Sequence, residues 1–173
     1  GVAANVIATT CQENGAELYQ LGDQFSITLH DDGSWDFEPE EQVFGKTYKN
    51  MRCGLQGDYQ ANNMSLVVAV LRLNLLDEKE ITEKQIRVGL ESVSWPGRQE
   101  LVSVERISAA GTKTYSYLLD GGHNPAGIAS LVETIKNNYS DKSIHLIWAA
   151  MQDKDSGKTL PELAPLCDRI YLS

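Results

Sequence analysis

The chain has 173 residues, of which 42% are hydrophobic and 23% are charged, as in ordinary globular proteins. Its formal net charge is −9, from 15 basic and 24 acidic residues, which argues against a nucleic-acid partner. No apolar run approaches the length of a membrane span, and three widely spaced cysteines form neither a disulfide framework nor a zinc pattern. We therefore expect a cytoplasmic protein without a membrane partner.

Apolar spacing in the first half predicts helices around a hairpin. The predicted elements are a helix over 2–14, a strand over 17–20, hairpin strands over 25–30 and from 35, an extended segment over 43–55, and helices over 64–76 and 82–90. Gly15 is expected to end the first helix, and Asp31–Ser34 is a strong hairpin turn. Thr82 and Gln85 form a capping-box pattern at the start of the last helix.

The long helix over 64–76 carries a dense apolar stripe. Its members are Leu66, Val67, Val70, Leu71 and Leu75, which we expect to be buried. The pattern breaks over 92–97, where Trp95-Pro96-Gly97 cannot continue a helix, and we place a domain boundary there.

The second half alternates strands and helices. The predicted elements are strands over 101–107 and 115–119, a helix over 125–138, a strand over 144–150, a helix over 160–166 and a strand over 169–172. Strand, helix, strand, helix and strand with short connections predict a doubly wound parallel layout, and hence an α/β fold.

The segment Asp120-Gly121-Gly122-His123-Asn124-Pro125 joins a predicted strand to a helix. Ligands of open α/β sheets bind at the carboxyl ends of strands, where helix N-termini offer unpaired N–H groups. Asn124 and Pro125 suit the N-cap and first position of the helix. A well-made turn with Asp120 accepting loop N–H bonds explains most of the pattern equally well, but such a turn does not require His123.

Two other places offer groups for a phosphorylated ligand. Arg98, on the predicted boundary, presents a planar fork to phosphate, although in isolation an ordinary surface pair with Glu100 is the better explanation. Asn62 and Asn63 precede the long helix, where they serve either as caps or as an amide partner for an adenine edge.

A polar loop follows the buried strand over 144–150. It contains Lys154 between two aspartates, and its alternative interpretation is a solvated turn. The run from Ser156 to Thr159 is similar to the end of a phosphate-binding loop, but Gln152 stands where that motif has glycine.

Four strings in this order resemble one family closely. They are GDYQANN before the long helix, WPGRQE at the boundary, LLDGGHNP after a strand and AAMQDKD after the next strand. Together they resemble folylpolyglutamate and dihydrofolate synthases, the folate branch of the Mur ligase superfamily. The departures are small: Met64 and Gly122 stand where the family usually has alanine.

The resemblance implies a domain organisation. Residues 1–94 would form the end of a Mur-ligase-type central ATPase domain, and residues 95–173 an incomplete Rossmann-like carboxyl domain with a mainly parallel sheet. The family's phosphate-binding loop, magnesium ligands and modified lysine would lie upstream of Gly1. By itself, the 173-residue chain is therefore expected to be inactive.

The resemblance also implies an activity. Family members use ATP and Mg²⁺ to phosphorylate a folate or pteroate carboxylate, which the amine of L-glutamate then attacks. By motif position, Asn63 would contact the adenine end of ATP, Arg98 the phosphates and Asp120 the nucleotide. His123 would lie near the reacting carboxylate or the glutamate, and Lys154 would face the same cleft. The full-length protein would be a monomer.

Two other functions remain open at this point. A muropeptide ligase shares the superfamily, and the upstream substrate region would distinguish it from a folate enzyme. A non-catalytic nucleotide-binding module would keep the Rossmann-like domain without the reaction.

Overall fold

The computed structural model describes residues 2–73, 81–109, 111–149 and 156–173. The chain divides into two compact units, the first made of Gly1–Cys53 and Ala61–Leu90 and the second of Gly54–Gln60 and Glu91–Ser173. None of the helices in the described ranges combines the length and apolar character needed to cross a membrane.

The first half of the chain forms four helices and a three-stranded sheet. In chain order they are α1 (Val2–Asn14), β1 (Phe25–Leu29), β2 (Trp35–Pro39), α2 (Glu41–Phe44), β3 (Tyr48–Met51), α3 (Tyr59–Leu73) and α4 (Glu83–Ser92). The sheet has the order β1-β2-β3, and both pairings are antiparallel. The predictions of α1, with Gly15 left-handed beyond it, and of the hairpin turn before Trp35 are confirmed.

Two strand predictions in this half are wrong. Residues 17–20 form an irregular loop, in which the side chain of Gln24 accepts a hydrogen bond from the main-chain N–H of Gln20 at 2.8 Å. Such local side-chain bonds compete with strand pairing. Of the extended segment predicted over 43–55, only Tyr48–Met51 is a strand, because the short helix α2 occupies its beginning.

The core of the first unit is aromatic. Phe25, Trp35, Phe37, Phe44 and Tyr48 are each at most 2% exposed. The ring of Phe37 lies 5.7 Å from that of Phe25 and 6.3 Å from that of Phe44, in tilted and edge-to-face arrangements that aromatic pairs favour. Val68 of α3 and Ile86 and Leu90 of α4 also belong to this cluster.

Helix α3 differs from its prediction in its start and in its buried face. It begins at Tyr59, five residues before the predicted start, so Asn62 and Asn63 lie inside the helix and do not cap it. Leu66, Val67 and Val70 are 47%, 41% and 57% exposed, contrary to the expectation of a buried stripe. The buried face instead consists of Ala61, Ser65, Val68 and Ala69, of which Ala61, Val68 and Ala69 belong to the aromatic cluster. Leu71 of the predicted stripe is partly buried against that cluster. Leu75 lies outside the described residues.

The capping box of α4 is confirmed. The side-chain oxygen of Gln85 accepts hydrogen bonds from the main-chain N–H of Thr82 at 3.0 Å and from its hydroxyl at 2.7 Å. In return, the main-chain N–H of Gln85 donates to the Thr82 hydroxyl oxygen at 3.4 Å, which pairs an N–H of the first turn and fixes the start of α4 at Glu83.

The second half of the chain is mixed α/β, as predicted. Its elements are β4 (Glu100–Ser108), β5 (Gly111–Leu119), α5 (Pro125–Asn138), β6 (His145–Trp148), α6 (Ser156–Leu163), a 3₁₀ turn (Ala164–Leu166) and β7 (Arg169–Leu172). β4 and β5 form an antiparallel hairpin, and β6 and β7 pair in parallel. These pairs are two separate two-stranded sheets, and the parallel one is small within the described residues. Helix α6 begins four residues before the predicted helix at Leu160.

A small aliphatic cluster forms the core of the second unit. Ile128, Leu131 and Ile135 of α5 meet Leu163 of α6, and all four are at most 9% exposed. Leu118 of β5 and Leu146 and Trp148 of β6 pack against them. This packing holds the amino end of α5 beside the carboxyl end of β5, where the predicted ligand loop lies.

Candidate functional site

The loop between β5 and α5 is organised by the carboxylate of Asp120. Its Oδ1 accepts a hydrogen bond from the main-chain N–H of Gly122 at 2.6 Å, and its Oδ2 accepts one from the main-chain N–H of Gln99 at 3.0 Å. The first bond closes a local turn of the kind that aspartate side chains commonly form. The second joins this loop to the loop that contains Arg98. Each carboxylate oxygen retains a further lone pair for another donor.

Two glycines allow these two loops to approach closely. The main-chain N–H of Gly121 donates to the carbonyl of Gly97 at 2.7 Å. At Gly122, a Cβ would lie 2.5 Å from Oδ1 of Asp120, so any side chain would displace the carboxylate. Glycine at position 122 therefore leaves the room that the hydrogen-bonded carboxylate of Asp120 occupies. It is not required there by an unusual backbone angle, since Gly122 has no positive φ.

His123 is exposed on this loop. Its Nδ1 lies 3.1 Å from the carbonyl oxygen of Gly121, which only accepts hydrogen bonds, so Nδ1 is the donor. In the neutral imidazole this leaves Nε2 as an acceptor on the other side of the ring. The arrangement provides a proton acceptor or donor of fixed tautomer in front of α5.

The amino end of α5 is capped as the sequence predicts. The side-chain oxygen of Asn124 accepts a hydrogen bond from the main-chain N–H of Gly127 at 2.8 Å, and Pro125 occupies the first helical position. Proline has no N–H to leave unpaired there. The remaining N–H groups of the first turn, together with the helix dipole, favour an anionic group in front of the helix.

Arg98 lies on a tight turn next to this loop. The N–H of Arg98 donates to the carbonyl of Trp95 at 3.2 Å, Gly97 has a φ of +69°, and the carboxylate of Glu100 accepts the N–H of Gly97 at 2.9 Å. Glu100 is therefore engaged with the main chain, and the described residues contain no ion pair between it and Arg98. The guanidinium is exposed and lies on a turn that is hydrogen-bonded to the Asp120 loop.

The structure therefore brings together three of the five residues predicted for the site. Arg98, Asp120 and His123 lie on two mutually hydrogen-bonded loops of the second unit. Asn63 belongs to the first unit, on the exposed side of the second turn of α3. Lys154 lies outside the described residues. Gln99, which supplies the bond to Asp120, was not predicted, because a single glutamine in a turn carries no sequence signal.

The described residues contain no group of three or more histidine, cysteine, aspartate or glutamate side chains arranged to hold a metal ion. The groups that the two loops present are instead suited to anions: a guanidinium, an imidazole and a helix N-terminus. This donor set fits the phosphates of a nucleotide.

The carboxyl-terminal part of the chain matches a known family. Residues 97–173 match the model described as Mur ligase, glutamate ligase domain. The matched range is similar to the glutamate ligase domain of Mur ligases, and it contains the two loops with Arg98, Asp120 and His123.

The chain is also similar to folate enzymes along nearly its whole length. It is 29% identical over 158 residues to the dihydrofolate synthase/folylpolyglutamate synthase of Bacillus subtilis, covering 91% of this chain and 31% of that protein. It is 35% identical over 118 residues to a probable bifunctional folylpolyglutamate synthase/dihydropteroate synthase of Haloferax volcanii, covering 66% of this chain and 12% of the other. The resemblance predicted from the four motifs is confirmed.

A solved structure agrees with these relatives. A complex described as FPGS-AMPPCP-folate has a TM-score of 0.75 and 27% identity, and the match covers 98% of this chain and 39% of the other. The chain thus spans between about an eighth and two fifths of the length of the proteins named here.

Proposed function

We propose that the protein is an ATP-dependent ligase that joins L-glutamate to folate, to dihydropteroate or to both, through an acyl-phosphate intermediate. The hydrogen-bonded pair of loops with Arg98, Asp120 and His123 carries the proposal, because it lies in the segment that matches a glutamate ligase domain. The relatives named for folylpolyglutamate and dihydrofolate synthesis support folate as the acceptor class.

The proposed roles follow from the groups that each residue offers. Arg98 binds the phosphates of ATP, since its exposed guanidinium is a bidentate donor for phosphate oxygens. Asp120 positions the loop and uses its remaining lone pairs for the nucleotide. His123 faces the reacting carboxylate or the glutamate amine, while Asn63 contacts the adenine end and Lys154 contributes to the same site.

The proposed cofactors are ATP and Mg²⁺. When bound, ATP supplies the phosphoryl group that activates the acceptor carboxylate, and Mg²⁺ offsets phosphate charge. The residues of this chain act by binding and orientation: the amino end of α5 and Arg98 hold negative charge, and Asp120 keeps their two loops together. Phosphoryl transfer depends mostly on such positioning and charge stabilisation.

The remaining parts of the proposal concern organisation. Residues 1–94 belong to the end of a central ATPase domain and residues 95–173 to the Rossmann-like carboxyl domain. The full-length protein is a monomer in the cytoplasm, with small-molecule substrates only. The 173-residue chain without the rest of such a ligase is expected to release no phosphate.

Phosphate release by the full-length protein tests the activity. With ATP, L-glutamate and either dihydropteroate or a folate, we expect release that depends on both the acceptor and glutamate. Release only with a muropeptide acceptor would identify the muropeptide ligase instead. Nucleotide binding without release for any acceptor would identify a non-catalytic module.

Arg98→Ala tests the site. We expect kcat/KM for ATP to fall by at least about tenfold, since a charge-assisted phosphate contact is lost. Arg106→Ala is the matched control, because Arg106 is an exposed arginine of the same unit on β4, away from both loops. Equal effects of the two substitutions would contradict the role of Arg98.

A further inference from the structure

Gln99 is the most deeply buried residue of the turn that carries Arg98. Only 1% of its surface is accessible, whereas Arg98 beside it is exposed. A glutamine side chain has two N–H donors and a carbonyl acceptor, and burying them without partners is unfavourable. Its burial therefore depends on specific contacts.

Those contacts reach both the Asp120 loop and the helix that follows it. The side-chain oxygen of Gln99 accepts a hydrogen bond from the hydroxyl of Thr134 at 2.9 Å. Thr134 lies on α5 and is only 5% exposed, so this bond is shielded from water. The main-chain N–H of Gln99 donates to Asp120 at 3.0 Å. One residue thus ties the turn of Arg98 to the carboxylate and to α5.

The GDYQANN motif also lies next to the side chain of Gln99, through its first residue, Gly57. Gly57 has a φ of +99°, and a Cβ there would lie 3.2 Å from the side-chain oxygen of Gln99. Gln99 itself has a φ of +49°, a left-handed conformation that costs free energy in a residue other than glycine. Such a conformation persists only where surrounding contacts enforce it, and the bonds to Thr134 and Asp120 provide that constraint.

We propose that Gln99 is a positioning residue for nucleotide binding: through Asp120 and Thr134 it fixes the turn of Arg98 against the loop that precedes α5 and against α5 itself. The inference rests on the proposed function, and it concerns a residue that touches neither ligand nor reacting atoms. While Gln99 keeps its hydrogen bonds to Thr134 and Asp120, the turn presents Arg98 outward in one orientation. If these bonds are lost, the guanidinium is still present but its orientation varies.

Two substitutions in the full-length protein each remove one partner of the hydrogen bond between Gln99 and Thr134. Gln99→Leu removes the acceptor at similar volume, and Thr134→Val removes the donor at similar shape. We expect each to raise the Kd for AMPPCP and the KM for ATP about tenfold, equivalent to about 1.4 kcal/mol. The KM values for glutamate and for the folate acceptor should change less than twofold. Thr134→Ser keeps the hydroxyl and should retain the wild-type affinity for AMPPCP.

A double-mutant cycle tests whether Gln99 acts through Arg98. In an Arg98→Ala background, Gln99→Leu should weaken AMPPCP binding by less than a further twofold, because the group that it orients is gone. A full additional tenfold loss would overturn the inference. Ile135→Val is the stability control: it alters the neighbouring position of α5 in the aliphatic core, and its Kd for AMPPCP should equal that of the wild type.

The outcomes separate the two proposals. Unchanged AMPPCP affinity in both Gln99→Leu and Thr134→Val, measured beside a wild type that binds AMPPCP, overturns the inference and leaves the ligase proposal standing. An equal loss of affinity in Ile135→Val also overturns it, because the effect would then follow stability alone. A wild type that does not bind AMPPCP contradicts the proposed function, and this inference with it.

Discussion

The hairpin β1–β2 pairs five residues in each strand and buries Phe25, Trp35 and Phe37 almost completely, whereas the hairpin β4–β5 pairs nine residues and buries none. Both contain β-branched and aromatic residues that favour strands. In β4–β5, however, Ile107 is 81% exposed and Val104 is 47% exposed. The longer hairpin therefore has more paired backbone but much less buried apolar surface.

The difference shows that pairing and burial have separate causes. The inner face of β1–β2 packs against Phe44 and side chains from α3 and α4. Burial of that face provides most of the hydrophobic stabilisation of this hairpin. Of β5, Leu118 packs against the aliphatic core of the second unit, while the cross-strand pairs farther along are held mainly by main-chain hydrogen bonds. Single substitutions in the two hairpins should therefore have very different effects.

Phe37→Ala should have the largest effect. The side chain is fully buried among three other aromatic rings, so its removal leaves a large cavity, and we expect a loss of about 3–5 kcal/mol in the free energy of unfolding. Urea unfolding followed by circular dichroism measures it. Ile107→Ala is the matched control, with an expected change within about 0.5 kcal/mol. Similar losses for both would show that burial does not distinguish the hairpins.

Acid should weaken the first hairpin through Asp36. The N–H of Asn50, the imidazole of His30 and the ammonium of Lys49 lower the pKa of Asp36 below its ordinary range. Because the folded state lowers this pKa, the contribution of the carboxylate is complete above the unfolded value of about 3.9 and falls as the pH decreases below it. Asp36→Asn should thus give a shallower loss of stability between about pH 4 and pH 2.

Asp31→Asn is the control for that titration, since Asp31 is exposed in the turn before β2 and forms no hydrogen bond or ion pair with the described residues. Urea unfolding at a series of pH values measures both variants. If the free energy of unfolding depended on pH identically in Asp36→Asn and in the wild type, Asp36 would not be a cause of the acid sensitivity.

Asn124→Ala should have a smaller effect on the second unit. It removes the N-cap bond to Gly127 and should lower the free energy of unfolding by about 1 kcal/mol. Asn137→Ala, at an exposed position near the other end of α5, should be neutral or slightly stabilising, because alanine is the better helix former. If the two variants were equally destabilised, the loss would not come from the cap.

Lys113→Glu should produce the smallest change, and in the opposite direction. Arg106 and Lys113 stand directly opposite each other in β4–β5, and like charges at such positions are unfavourable. We expect a gain of about 0.2–1 kcal/mol, reduced by the loss of the contact between Lys113 and the ring of Tyr115. Thr112→Glu, at the neighbouring position opposite Ile107, is the control. A gain of equal size there would argue for a general charge effect.

The sequence predicted best those features that depend on neighbouring residues. The capping box of Thr82 and Gln85 and the cap formed by Asn124 are local, and both are confirmed. The face of α3 was assigned wrongly because helical spacing identifies an apolar side without showing which side meets other elements. Leu66 and Val70 are more hydrophobic than Ala61 and Ala69, yet the smaller residues are the buried ones.

The same distinction applies to the site. Asp120, His123 and Asn124 lie in one short segment, so their pattern could be recognised in the sequence alone. Gln99 depends on Thr134, 35 residues away, and on a turn whose conformation arises from tertiary contacts. No local rule identifies that pair. The alternative interpretation of Asp120, as an acceptor of loop N–H bonds, also proved accurate in its geometry.

Gly121 and Gly122 differ in what natural variation they can accept. One base change converts any glycine codon to an alanine codon, so both positions are equally accessible to that mutation. At Gly121 the added methyl group would have ordinary contact with Gly97, at 3.5 Å. At Gly122 it would force the carboxylate of Asp120 out of its bond with the loop. Proteins that carry alanine at this second position must therefore hold the preceding aspartate in another rotamer.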